Sequence, residues 1–96
     1  MASPLRLKLF IAGDSPRARE AAANLTRAVE HLNGGGAEVE TVDVLERPEL
    51  ADEYRILTTP TVVREAPAPR RRVTGDLRDV AQVLAALSLV PPTPQP

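Results

Sequence analysis

The sequence predicts an α/β domain built on a four-stranded mixed sheet with flanking helices, and three observations carry that reading. A strand, a helix and a second strand fill the first 45 residues, β-branched segments recur at Thr61-Val62-Val63 and Arg71–Thr74, and an Ala- and Leu-rich helix follows at Leu77–Leu87. A chain of 96 residues supports one domain with a modest core, expected over residues 1–89. Phe10 and Tyr54 are the only aromatic residues, so that core is made mostly of Leu, Val and Ala.

In the first strand Leu5, Leu7, Leu9 and Ile11 alternate with Arg6, Lys8 and Phe10, the period-two mark of one strongly apolar face. Ala12-Gly13-Asp14 breaks the alternation. Ser15 before Pro16 fits an N-cap with proline at the first helical position, where a missing N–H costs nothing. Ala18, Ala21, Ala22, Leu25, Ala28, Val29 and Leu32 then fall at helical spacing, and Asn33-Gly34-Gly35-Gly36 ends the helix. Ala37–Leu45 is the second strand. Its Val39 and Val42 differ in parity, which a strand apolar on both faces, or a bulge, would explain. A βαβ unit of this length in one sheet is expected to be parallel and right-handed.

Pro48 begins a short helix in which Leu50, Tyr54 and Leu57 share a face. The two later strands are joined by Ala66-Pro67-Ala68-Pro69, a link suited to an antiparallel turn. Gly75 and Asp76 open the last helix, with Asp76 as its cap and Leu77, Val80, Ala81, Leu84 and Leu87 at helical spacing. Val90–Pro96 holds four prolines in seven residues and is expected to be an extended, disordered tail. The order βαβαββα is the thioredoxin-like arrangement.

Thioredoxins act through a thiolate, and this chain contains no cysteine, so disulfide exchange is excluded. Ser15 occupies the corresponding helix N-terminus, but a hydroxyl needs a base to become a nucleophile. The only histidine, His31, lies about 24 Å along that helix at 1.5 Å per residue, so capping is the better account of Ser15. Thr59-Pro60 matches the thioredoxin-fold position where proline is usually cis, and cis is the expectation here.

With 12 basic and 13 acidic residues the chain lacks the basic excess of a nucleic-acid or anionic-membrane binder. No apolar run approaches the roughly 18 residues of a membrane span, and no charged-then-apolar leader opens the sequence, so a cytoplasmic protein is expected. Arg70-Arg71-Arg72 reads as a charged edge strand, with contact to an acidic protein partner as the alternative. Asp43, Glu46, Glu49, Asp52 and Glu53 gather around the second helix start, where the dipole favours carboxylates. Without His, Cys or a ligand-loop spacing they point to no metal, and the glycines at 34–36 lack the Lys-Ser/Thr pair of a phosphate loop. No cofactor is expected.

The ordered set Leu7–Pro16, Val42–Leu45, Pro48–Ala51, Ile56–Thr61, Pro67/Pro69 and Val73–Leu77 closely resembles the circadian clock KaiB family, over roughly residues 5–89. The resemblance implies a non-enzymatic protein that docks on the ATPase ring of the KaiC clock kinase. In cyanobacteria such proteins then sequester KaiA and rearrange the output histidine kinases. The resemblance also implies two folds that share the N-terminal βαβ half. One is a tetrameric ground state with a re-paired C-terminal half; the other is a thioredoxin-like monomer, the form that binds KaiC.

The chain's own preferences favour the thioredoxin-like state. The ground state needs a strand near Asp79–Leu87, which is rich in Ala, Leu and Gln, and the prolines from Pro91 would cut such a strand short. Arg55, Arg71 and Arg72 keep basic positions of the family pattern and are the expected partner contacts, while Pro60, Gly75 and Asp76 are expected to govern the fold. Glu20 and Glu40 stand where the clock-type pattern commonly has basic residues, which points towards a paralogue with a modified partner. A thioredoxin-fold interaction module in stress or two-component signalling, facing a histidine kinase, is the alternative.

Overall fold

The computed structural model describes residues 5–30 and 37–89. The elements run β1 (Leu5–Ile11), α1 (Pro16–Glu30), β2 (Ala37–Asp43), α2 (Pro48–Tyr54), β3 (Thr61–Ala66), β4 (Arg71–Thr74) and α3 (Val80–Ala86). Their order in the sheet is β2-β1-β3-β4, with β1 parallel to β2 and antiparallel to β3, and β4 antiparallel to β3. This is the thioredoxin-like arrangement, and the segment that the re-paired alternative needs as a strand is helical. The expected glycine-rich stop of α1, the place of His31 and the proline-rich tail lie outside the described residues.

The sheet is covered on both sides. Leu7, Leu9 and Val62 pack with Ala21, Leu25 and Ala28 of α1 and with Val83, Leu84 and Leu87 around α3. On the opposite face Phe10, Val42 and Val63 meet Tyr54 of α2, with Val44, Leu50 and Ile56 around them. Phe10 is fully buried and its ring centroid lies 5.1 Å from that of Tyr54, so β1 is apolar on both faces rather than on one. Burying a leucine such as Leu25 contributes about 1.5–3 kcal/mol, and a core this short of large rings depends on many such residues.

The parity of Val39 and Val42 follows from the same two-sidedness. Val42 pairs with Phe10 and is buried on the α2 side, whereas Val39 pairs with Leu7 and is 46% exposed at the sheet edge. The β1–β2 register runs without a break; the irregular pairing falls instead between β1 and β3, at Arg6/Leu7. Strand β2 ends at Asp43 rather than Leu45, because the amides of Glu46 and Arg47 turn back to the Asp43 carbonyl at 3.0 and 2.9 Å.

Two further expectations are corrected. Helix α2 stops at Tyr54, where Arg55 takes a left-handed conformation with φ 54°, so Leu57 leaves the face of Leu50 and Tyr54 and is 93% exposed. Helix α3 is capped by Asp79, whose Oδ1 accepts from the Gln82 amide at 3.1 Å. Asp76 cannot be that cap because Leu77, buried in the core, has φ 63° and breaks any helix begun before it. Asp76 instead accepts from the Arg78 amide at 3.0 Å, closing a local turn.

Candidate interaction surface

At the C-terminal end of β1 the chain makes the turn where a thioredoxin would carry its thiols. Ser15 Oγ accepts from the Ala18 amide at 3.0 Å, so its hydroxyl caps α1 as expected. Gly13 has φ 73°, and its amide donates to Asp43 Oδ1 at 3.0 Å. The same oxygen accepts from the Leu45 amide at 2.9 Å, so Asp43 binds the two loops together. Thr59–Pro60 is cis and forms a shallow recess with Ile11, Ala12 and Ser15. Among the described residues that line the recess there is no His, Cys or carboxylate. Among the described residues no set of His, Cys, Asp and Glu could hold a metal ion.

The residues expected to govern the fold are brought together. The Gly75 amide donates to the Pro60 carbonyl at 3.0 Å, extending the β3–β4 pairing by one bond. Gly75 has φ 114°, where a side chain is strained although nothing lies within 4 Å of the Cβ position. The Asp76 carbonyl accepts from Asn24 Nδ2 of α1 at 2.7 Å, a bond between residues 52 apart in sequence. Asn24 is buried, and its Oδ1 accepts from Arg27 at 2.9 Å. The β4–α3 connection is therefore tied to the first half of the chain by a residue that helical spacing alone did not single out.

The three arginines expected to meet a partner divide into different roles. Arg72 Nη1 and Nη2 donate to the carbonyls of Arg55 and Tyr54 at 3.0 and 2.6 Å, so its guanidinium caps the C-terminus of α2. Arg55 is exposed beside it. Arg71, the neighbour of Arg72 on β4, points to the other face of the sheet and is exposed there. Arg70 lies with its Cζ 4.7 Å from the Tyr54 ring centroid, and its Nε sits 3.2 Å from Glu65 Oε2 without the alignment of a hydrogen bond. Arg71 and Arg72 lie on an edge strand as expected, but Arg70 and Arg72, while exposed, also contact α2.

Tyr54 is the hub of this face. Its hydroxyl donates to Glu65, and Lys8 Nζ lies 5.7 Å from its ring centroid and 3.8 Å from Glu65. Burial, followed by the bond to Glu65, raises the Tyr54 pKa above its ordinary value. For Lys8 burial opposes the charge, but the hydrogen bond to Glu40 and the surrounding negative groups outweigh it and raise the pKa. Glu40 thus has a local partner at 3.1 Å, while Glu20 is exposed on α1. Glu49 is held low by its own backbone amide and then by Arg47. The Tyr54, Glu65 and Arg70 group had no signal in the sequence beyond an aromatic residue in an amphipathic stretch.

The family model described as the KaiB domain matches residues 8–95. The chain belongs to the KaiB family. It is 40% identical over 85 residues to the circadian clock protein KaiB3 of Synechocystis sp., covering 88% of this chain and 83% of that one. Among solved structures, the N-terminal domain of Synechococcus elongatus SasA superposes with a TM-score of 0.69 at 29% identity, covering 92% of this chain and 87% of that domain. Mitochondrial thioredoxin 3 of Saccharomyces cerevisiae also gives 0.69, at 16% identity and 90% and 78% coverage, and that likeness concerns the fold alone. This KaiB-family chain is thus a circadian clock protein in kind, with the thioredoxin fold and without the thioredoxin thiols. No described helix is long and apolar enough to cross a membrane.

Proposed function

We propose that this KaiB-family protein is a non-enzymatic adaptor that docks on a KaiC-like ATPase ring and changes its circadian or related signalling output. The observation that carries the reading is the arrangement of the C-terminal half. Strands β3 and β4 form an antiparallel pair on β1, and α3 packs on α1, which is the state that family resemblance links to ring binding. With no cysteine the turn at Gly13–Pro16 has no thiol chemistry to perform, and its hydroxyl is committed to a cap. In this state the protein acts as a cytoplasmic monomer without nucleic acid, membrane or cofactor.

A second reading has an observation of its own. The likeness to the SasA N-terminal domain, at 29% identity, favours a thioredoxin-fold interaction module, whose expected partner is a signalling histidine kinase. Affinity capture from the native lysate, with and without ATP, separates the two. Recovery of a ring-forming KaiC-like ATPase supports the adaptor reading; recovery of a histidine kinase without the ring replaces it.

A further inference from the structure

The turn that follows α2 is held more firmly than its exposure explains. The amides of Arg55 and Ile56 return to the carbonyls of Asp52 and Ala51 at 3.2 and 2.9 Å, and Arg72 donates to the carbonyls of Tyr54 and Arg55. Ile56 then folds inward against the Phe10 and Tyr54 cluster, and Leu57 is thrown outward at 93% exposure. A single exposed leucine is ordinary. One mounted on a doubly capped turn is already ordered, so a partner that covers it pays little entropy for fixing it.

The charges around that tip are left unneutralised by ion pairs. Arg6, Lys8, Arg19, Arg47, Arg70 and Arg78 each have a carboxylate partner, whereas Arg55 and Arg72, like Arg17, Arg64 and Arg71 elsewhere on the domain, form no ion pair with a described carboxylate. Asp52 and Glu53 stand on the preceding helical turn, exposed, and neither forms an ion pair with Arg55.

We propose that Leu57 is the apolar tip of a docking knob, flanked by Arg55 and held in place by Arg72, that enters an apolar socket bordered by carboxylates on the ATPase ring. The inference rests on the adaptor reading above. Arg55 supplies the charge that the carboxylates meet, and Arg72 acts as a positioning residue through the backbone of Tyr54 and Arg55. Arg71 takes no part, because it lies on the other face of β4.

The test uses the full chain and a purified, ATP-loaded KaiC-type ring, with affinity read by biolayer interferometry and folding by thermal melting. Leu57→Ala is expected to weaken binding about tenfold or more, since a leucine side chain covered in a socket is worth roughly a factor of ten to a hundred. Its melting temperature should stay that of the parent protein. Arg72→Lys keeps the charge but cannot span two carbonyls as the planar fork does, and it should weaken binding as well. If Arg72 acts through Leu57, the double variant binds no worse than the worse single variant. Losses that multiply overturn the positioning role. A Leu57→Asp protein that binds within about twofold of the parent overturns the knob while leaving the adaptor reading intact. A parent protein that does not bind the ring overturns the adaptor reading, and the knob with it.

Discussion

Removing the Asp79 carboxylate should destabilise the whole domain, and the size of the effect can be worked from the structure. Asp79 Oδ1 satisfies the Gln82 amide at 3.1 Å, one of the four donors that a helix start leaves without an internal partner. Losing such a cap costs about 1 kcal/mol, within a range of roughly 0.5–2. Helix α3 carries Val83 and Leu84, and Leu87 follows at its end; all three are buried in the larger core, so α3 cannot fray without opening that core. For a domain of this size about 1 kcal/mol corresponds to roughly 4–8 °C in melting temperature. Circular dichroism melts of Asp79→Ala should show that drop, and Asp79→Asn, which caps about as well, should not. Asp76→Ala loses only the local turn to Arg78 and an ion pair whose Arg78 side chain is 76% exposed, so it should cost about 0–1 kcal/mol. A larger loss for Asp76→Ala than for Asp79→Ala would refute the capping argument.

Three other outcomes follow from the same structure. Asn24→Ala should lower the urea midpoint by an amount equivalent to about 1–3 kcal/mol at unchanged slope, because it leaves the Asp76 carbonyl without its buried donor. Gly75→Ala should cost about 1–2 kcal/mol in the same assay, from backbone strain alone at φ 114°, since nothing lies within 4 Å of the added methyl; no loss would mean that this φ is not held. Tyr54 is the only tyrosine, so its ionisation can be followed by absorbance near 295 nm without overlap. The midpoint should lie above the ordinary value near 10 in the folded protein and return to it in denaturant. The protonated form is the one the fold favours, so this contribution is complete below the unfolded pKa and is lost as pH rises through the folded one. Lys8, also raised, has the same sign, and alkaline melts should show stability falling above about pH 10.

What the sequence could and could not convey divides along one physical line. Local chemistry was legible: the Ser15–Pro16 cap, the alternating strand, the link at Ala66–Pro69 and the helical preference of Val80–Ala86 all act within a few residues of themselves. The start of α3 was not, because Asp76 and Asp79 are equally good caps in isolation. The choice between them is made by Leu77, which is drawn into the core, and by Asn24, which holds the Asp76 carbonyl from 52 residues away. Leu57 was placed on a buried face because Leu50, Tyr54 and Leu57 keep helical spacing. The helix ends first, with a non-glycine residue in the left-handed position that only the Arg72 clamp and the returning amides reveal. The same clamp explains why one expected contact arginine serves the fold: nothing in the run Arg70-Arg71-Arg72 records that α2 ends beside β4.

If this protein acts as an adaptor, it engages an ATPase ring alone and in the arrangement described. Sedimentation velocity of the purified chain with a purified KaiC-type ring tests it, run with ATP and again with the ring's nucleotide removed. The chain should sediment as a monomer by itself and move with the ring when ATP is present. A chain that sediments as a tetramer, or that stays apart from the ring under every condition, would contradict the account.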